Sequence, residues 1–375
     1  MMPSVKSALI VGGGTAGLSC AIVLRRLGID AEIVEAKYDW TVLGSGVTMM
    51  GATLRALGEM DLADECARRG AGGDTVGIYD GDGNQLEIVP VAQIAGPGLP
   101  AMAGIMRPEL HTMLKEAAES EGTRVRLGTT VTSLQEAADG VEVQTSDGAS
   151  RSYGMVIGAD GIHSDIREKL WGSNFRPHYT EQIVWRAIVP RPKDYTELAM
   201  FYGQDMKAGI NAVSSTDAYL FLAVNTADTE RPPREEWPSI LRSLLSGFGG
   251  PVAAIRESII HPDQVDCRPL QANLLPKPWN KGSVLLVGDA AHASTPQLAM
   301  GAGLAVEDAV VLGKVLESGS PLSEALPAFT ERRYDRCRMV VENSVQLGEW
   351  EKHPTEDADP GGLSATSWAA LAQPL

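Results

Sequence analysis

The chain lacks paired cysteines, an excess of positive charge and any long apolar run. Its four cysteines, Cys20, Cys66, Cys267 and Cys337, are scattered with no C-x-x-C among them. A disulfide framework is therefore not expected, and neither is a zinc site. Reduced thiols in a cytoplasmic protein are the reading that fits. His111, His178 and His261 show no ligand spacing, so no metal is expected. Lys and Arg number 32 against 48 Asp and Glu, a formal net charge of −16 with a pI near 4.9. That balance argues against nucleic acid or an anionic membrane surface as partner. Nowhere do about 18 uncharged apolar residues follow one another, so no transmembrane helix is expected. The short apolar run Ala8–Val11 leads directly into glycines, as a buried strand does and a secretory signal does not.

What is present is an ordinary globular composition, with 44% hydrophobic and 21% charged residues over 375 positions, ample for a core without covalent staples. Glycine, at 40 residues, is plentiful and points to close backbone approaches. Ser7–Val11 reads as a strand, Leu18–Leu27 as a helix with Gly28 beyond its end, and Ala31–Glu35 as a second strand: a βαβ unit. Val76–Tyr79 and Leu86–Val89 flank Asp80-Gly81-Asp82-Gly83-Asn84 as a hairpin. A helix is expected over Arg107–Ser120, then strands over Arg124–Leu127, Val131–Leu134, Val141–Thr145 and Met155–Ala159. Ile183–Val189, Leu198–Tyr202, Ala208–Val213 and Ala218–Val224 suit an antiparallel sheet, interrupted by a helix over Arg234–Leu245. Ser283–Val287 returns to the apolar style of a parallel strand. Helices over Gly303–Leu316 and Leu322–Gly348 close the fold, and a Pro-, Gly- and Asp-rich tail reads as loose.

Gly12, Gly14 and Gly17 form G-x-G-x-x-G between strand and helix, the context that makes this string informative. Gly12 permits the tight turn, Gly14 lets the backbone approach a pyrophosphate, and Gly17 lets the helix pack on the strand. The helix N-terminus offers free amides and partial positive charge to phosphates. Glu35 ends the second strand where a carboxylate accepts hydrogen bonds from a ribose. Two further segments place carboxylates at strand ends: Gly158-Ala159-Asp160-Gly161 and Gly288-Asp289-Ala290-Ala291-His292, the latter followed by Pro296. No second G-x-G-x-x-G follows.

With these motifs in this order, the sequence resembles the class A flavoprotein monooxygenases, the single-component aromatic hydroxylases of the p-hydroxybenzoate and salicylate hydroxylase type, over roughly residues 5–345. The resemblance implies an α/β fold: a Rossmann-like FAD-binding domain of the GR2 type with an interleaved β-sheet substrate domain and C-terminal helices. The expected FAD-binding parts are 1–74, 106–175 and 277–349, the last including the C-terminal helices; the substrate domain takes 75–105 and 176–276, and 350–375 is a tail. It implies FAD on Gly12, Gly14, Ala16 and Gly17, with Glu35 and Ala36 at the adenosine ribose. Arg107, opening a helix as Arg107-Pro108-Glu109-Leu110, would reach the phosphate and ribitol region. Val131 would meet adenine, Asp160 would support FAD and a transient NAD(P)H site, and Asp289 would bond the ribitol. The family's Pro-x-x-Gly-Gln-Gly-x-Asn stands here as Pro296-Gln297-Leu298-Ala299-Met300-Gly301-Ala302-Gly303, so only the backbone amides of Gly301 and Ala302 remain for the flavin edge. The flavin-side Gly-x-Gly-Ile stands as Gly44-Ser45-Gly46-Val47, preceded by Leu43.

The implied reaction is hydroxylation of a small phenolic or N-heteroaromatic substrate by NAD(P)H and O2 through a flavin C4a-hydroperoxide. The helix beginning near Gly301 would stabilise charge on the reduced flavin through its dipole. Candidate catalytic residues are Arg186, Tyr219 and His292. Arg186 would hold a carboxylate or phenolate, with a solvated strand arginine as the competing reading. Tyr219 would line the pocket, with packing as its alternative, as for Tyr202. His292 is a candidate base, with structural hydrogen bonding as its alternative. Met49, Met50 and Met300 read as an apolar wall or as gap-fillers. Other flavin chemistries on this scaffold, epoxidase, halogenase or reductase, stay open, as does non-catalytic flavin binding. The halogenase version fits poorly, because Trp185-Arg186-Ala187-Ile188-Val189-Pro190 lacks that group's second tryptophan. A homodimer is the assembly allowed for.

Overall fold

The computed structural model describes residues 5–40, 44–193, 195, 198–204 and 206–375. The chain forms two compact units, one of residues 1–41, 111–178 and 271–375 and one of residues 42–110 and 179–270.

The first unit is built on a six-stranded sheet in the order Asn280–Lys281, Val284–Leu286, Met155–Gly158, Ser7–Val11, Asp30–Glu35, Arg124–Leu127. All neighbours pair in parallel except the first two. Ala8, Leu9, Ile10, Met155, Val156, Ile157, Leu285 and Leu286 are buried on both faces, which is why these strands read as unbroken apolar runs. Helices Thr15–Arg26 and Gly301–Glu317 pack closely, because Gly313 leaves room for the Val23 side chain. A small antiparallel sheet of Val131–Ala137, Gly140–Thr145 and Ser150–Tyr153 is tied to the main one through buried Glu32. That carboxylate accepts the Tyr153 hydroxyl at 2.9 Å and pairs with Arg126 at 2.7 Å and Arg151 at 3.1 Å.

The second unit carries a seven-stranded sheet in the order Val265–Ala272, His178–Pro190, Asp217–Asn225, Lys207–Ala212, Leu198–Tyr202, Thr75–Asp80, Gln85–Pro90. Side chains alternate across a strand. Trp185, Ala187, Phe201, Ala208, Ile210, Leu220 and Leu222 thus share one face and are buried with Trp237, Leu241, Phe248 and Val252 of the segment 237–252. Arg186, Ile188, Asn211, Tyr219 and Phe221 occupy the other face by register. A second, three-stranded sheet joins Gly46–Met50, Met102–Met106 and Ala71–Gly73.

Several sequence expectations shift. Residues 44–74 and 106–110, expected in the FAD-binding parts, group with the second unit. The reason is Gly46–Met50, a five-residue strand hidden in Met- and Gly-rich sequence, which pairs with Met102–Met106. The four strands expected to form an antiparallel sheet do pair antiparallel; Thr75–Asp80 adds to them in parallel with Leu198–Tyr202. The tail is not loose. The long helix continues to Lys352, and Pro360–Leu371 forms another helix, capped by Asp359 accepting the Gly362 amide at 2.8 Å. Leu371 and Ser367 are buried, and Arg336 donates to the carbonyls of Ala370 and Leu371.

Candidate active site

The glycine turn of the first unit shows a division of labour. Gly12 adopts φ +107°, and a Cβ there would run into the Ala159 carbonyl. A Cβ on Gly17 would run into the Gly12 carbonyl. Gly14, by contrast, has open space where a Cβ would point and serves as the unadorned N-cap of Thr15–Arg26. Two glycines therefore shape the turn, and the third leaves the helix N-terminus clear. No acidic residue occupies that first turn, so nothing there competes with a phosphate. Glu35 is fixed by two backbone donors, the Gly13 amide at 2.8 Å and the Lys37 amide at 3.0 Å. Ala36 beside it is exposed and Ala16 is buried in the helix start. His111 and Trp40, which sequence reasoning did not single out for this turn, complete it. His111 Nε2 lies 3.0 Å from the Gly13 carbonyl, and its ring sits 5.1 Å from that of Trp40. This cradle fits a dinucleotide: an open N-terminus, a close-approach glycine and an oriented carboxylate at the adjoining strand end.

The two carboxylate motifs are brought together by Arg167. It is buried and donates to the Ile162 carbonyl at 2.7 Å and the Ala290 carbonyl at 2.9 Å. Asp160 accepts the Ser164 hydroxyl at 2.5 Å and the Ile166 amide at 3.0 Å; burial pushes its pKa up while those bonds pull it down. Asp289 is exposed at the start of the short helix Asp289–His292. Gly288 takes φ +58°, and a Cβ there would come within 2.9 Å of the Ala16 methyl, so this turn lies against the start of Thr15–Arg26. Gly301 and Ala302 open Gly301–Glu317, and Met300 before them is fully buried. Val131 is buried at the start of its strand.

His292 has the surroundings of its structural alternative. It is fully buried, with Nε2 2.7 Å from Asp308 Oδ2, and its ring packs on Trp279 at 5.0 Å. Asp308 also accepts the Gly288 amide at 2.8 Å and the Arg333 Nε at 2.7 Å. Arg333 reaches on to Glu307 at 2.8 Å. Burial opposes the charged imidazole, but the Asp308 carboxylate outweighs it and holds the His292 pKa well above its usual value. Such a residue supports the Gly288-Asp289 turn from inside, through the Asp308 carboxylate that also accepts the Gly288 amide. Among the described residues, His292, Asp308 and Cys337 also form a cluster of potential ligand atoms within 4.8 Å. The Arg333 guanidinium on the same carboxylate already neutralises it, which disfavours a cation there. Asp308 and Arg333 were missed because a charged residue in a helical pattern gives no sign of being buried.

The second unit gathers the substrate-side candidates. A Cβ on Gly44 would sit 3.1 Å from Arg107 Cδ, and the Arg107 amide donates to the Ser45 carbonyl at 3.2 Å. The glycine segment and the helix-start arginine are thus one local structure; Leu43 lies outside the described residues. Tyr219 is buried, with its hydroxyl 3.0 Å from Thr48 Oγ1, which accepts Asn211 Nδ2 at 2.7 Å. Gly46 makes this possible, since a Cβ there would collide with the Tyr219 ring. Thr48 and Asn211 carry no motif and were invisible in sequence. Met49 and Met50 are buried. Tyr202 is exposed. Arg186 is half-buried, and among the described residues it makes no hydrogen bond or ion pair. Desolvation, and then the Arg107 charge, push its pKa down to about 10.

The chain is similar to known proteins over most of its length. The family described as FAD binding domain matches residues 6–344. The 2-heptyl-3-hydroxy-4(1H)-quinolone synthase of Pseudomonas aeruginosa is 32% identical over 352 residues, covering 92% of this chain and 90% of that protein. The 3-amino-4-hydroxybenzoate 2-monooxygenase PtmB3 of Streptomyces platensis is 30% identical over 348 residues, covering 90% of this chain and 87% of its own length. The Klebsiella pneumoniae HpxO structure with FAD and uric acid superimposes with a TM-score of 0.84 at 24% identity, covering 98% of this chain and 92% of that one.

Proposed function

The chain belongs to the FAD binding domain family, and from that premise we propose that it is an FAD-dependent monooxygenase that hydroxylates a small aromatic or heteroaromatic molecule, with NAD(P)H as reductant and O2 as oxidant. The observation that carries this reading is the open N-terminus at Gly14 beside the amide-fixed Glu35 carboxylate. FAD, when bound, supplies the hydride acceptance and oxygen activation that side chains alone do not provide.

The residues of the chain have separate tasks. The free amides of Thr15–Arg26 receive the pyrophosphate, and Glu35 orients a ribose. Asp160 and Asp289, locked by Arg167 and by Asp308 through Gly288, present carboxylate edges at strand ends. The amides of Gly301 and Ala302 offer donors and a positive dipole end for developing negative charge. Arg186 anchors the substrate, and the Tyr219 hydroxyl, held by Thr48, is the group placed to hold or pass a substrate proton. The cytoplasm as location and a homodimer as assembly belong to the same proposal. Among the described residues no helix is long and apolar enough to cross a membrane.

The test is anaerobic reduction of the FAD-loaded protein by NADH and NADPH with a panel of phenols and N-heteroaromatics, followed by exposure to oxygen. Substrate-accelerated reduction and a product heavier by one oxygen are expected. Reduction indifferent to every compound, with no oxygenated product, overturns the proposal.

A further inference from the structure

Phe221 stands between two cross-strand neighbours, Arg186 on one side and Gly209 on the other. Its ring lies over Gly209, for a Cβ at that position would fall inside the ring. The missing side chain on Lys207–Ala212 therefore gives Phe221 a resting place, and its ring leans away from Arg186. The neighbour along the strand cannot fill the gap. Tyr219 is tied through its hydroxyl to Thr48 at 3.0 Å, and its ring is tilted 33° to that of Phe221 at 5.7 Å.

The charges around Arg186 are unusual for this chain. The overall net charge is −16, yet the side chains acting on Arg186 are Arg107, Tyr219, Asp266 and Arg268, two of them guanidinium groups. Asp266 is already paired to Arg268 at 2.9 Å. A half-buried guanidinium in a locally positive setting, without a partner of its own among the described residues, attracts an anion, and its planar fork matches a carboxylate in two parallel hydrogen bonds.

We propose that Gly209 and Phe221 are specificity determinants that keep Arg186 open to the carboxylate of an aromatic substrate. This rests on the reading of Arg186 as the substrate anchor. A side chain at 209 would force the Phe221 ring into another staggered well, and the direction left open is toward Arg186, where the ring would cover the guanidinium.

The experiment uses the FAD-loaded protein and measures dissociation constants of salicylate and of its neutral amide by perturbation of the flavin absorbance. The wild type is expected to prefer salicylate at least tenfold. Gly209→Ala should abolish that preference, and Gly209→Ala combined with Phe221→Ala should restore it, with flavin content and thermal unfolding as controls for folding. Arg186→Gln should abolish the preference irreversibly, whatever stands at 209 and 221. Equal binding of the two compounds by the wild type, or a preference that survives Arg186→Gln, sinks the anchor reading itself. A preference lost in Arg186→Gln but kept in Gly209→Ala, or not regained in the double variant, overturns only the role of Gly209 and Phe221.

Discussion

The Glu35 carboxylate accepts the Gly13 amide at 2.8 Å, so the side chain proposed to orient a ribose also shapes the glycine turn. Replacing it by alanine removes an acceptor from the turn as well as from the ligand. Glu35→Ala should weaken FAD binding at least tenfold and cost the apoprotein about 1–2 kcal/mol. FAD titration and denaturant unfolding check the two effects separately.

Gly14 and Gly17 should respond in opposite ways. Gly14 has open space around its would-be Cβ and an extended backbone that any residue adopts. Gly14→Ala is therefore expected to fold with a loss under about 1 kcal/mol and yet to lose FAD affinity, since the methyl group would fill the open space proposed for the phosphate. Gly17→Ala places its methyl against the Gly12 carbonyl and should prevent accumulation of folded protein. Circular dichroism paired with flavin content distinguishes the two outcomes.

The Asp308 network makes a pH prediction. The folded pKa of His292 lies above its unfolded value of about 6.5. Its contribution to stability is then complete below that pH and is lost as pH rises through the folded value. The stability gap between wild type and His292→Gln should thus be widest near the acid end of a neutral series and narrow toward alkaline pH. Asp308 behaves oppositely. Burial pushes its pKa up, but His292 and Arg333 pull it below the usual carboxylate range, so its contribution fades only as pH falls through that lowered value. Asp308→Ala leaves Arg333 with Glu307 alone and takes the carboxylate from buried His292, and it should cost about 3–5 kcal/mol. Thermal unfolding across pH reads all three.

Tyr219 and Thr48 form a pair in which one acts through the other. Tyr219→Phe should slow oxygenated-product formation about a hundredfold if the hydroxyl handles a proton, with little change in flavin content. Thr48→Val leaves both Tyr219 and Asn211 short of a partner. It should give a smaller rate loss, with about 1–3 kcal/mol of destabilisation. The pH profile of turnover under saturating substrate is the deciding readout, because a purely structural loss would leave its shape unchanged.

The nucleotide half of this molecule was legible in sequence because its constraints are local. A glycine needed beside Ala159 or Gly12, and a carboxylate at a strand end, leave their mark within a few residues. Arg107–Ser120, Arg124–Leu127 and Leu198–Tyr202 likewise form over the expected residues, since their apolar spacing is continuous. What escaped depends on distant partners. Thr48 becomes informative only once Gly46–Met50 meets Asn211 and Tyr219. Asp308 and Arg333 look like an ordinary solvated helix face until their helices pack. The tail misled through composition: Pro360, Gly361 and Gly362 read as a breaker cluster, yet they open a helix whose end is clasped by Arg336.

Arg167 donates at once to the carbonyls of Ile162 and Ala290, stretches of chain more than a hundred residues apart. Any chimera assembled from two relatives with a crossover between those stretches would inherit the cation from one parent and half of its acceptors from the other. Libraries recombined outside that interval should retain colour and fold far more often than libraries cut within it.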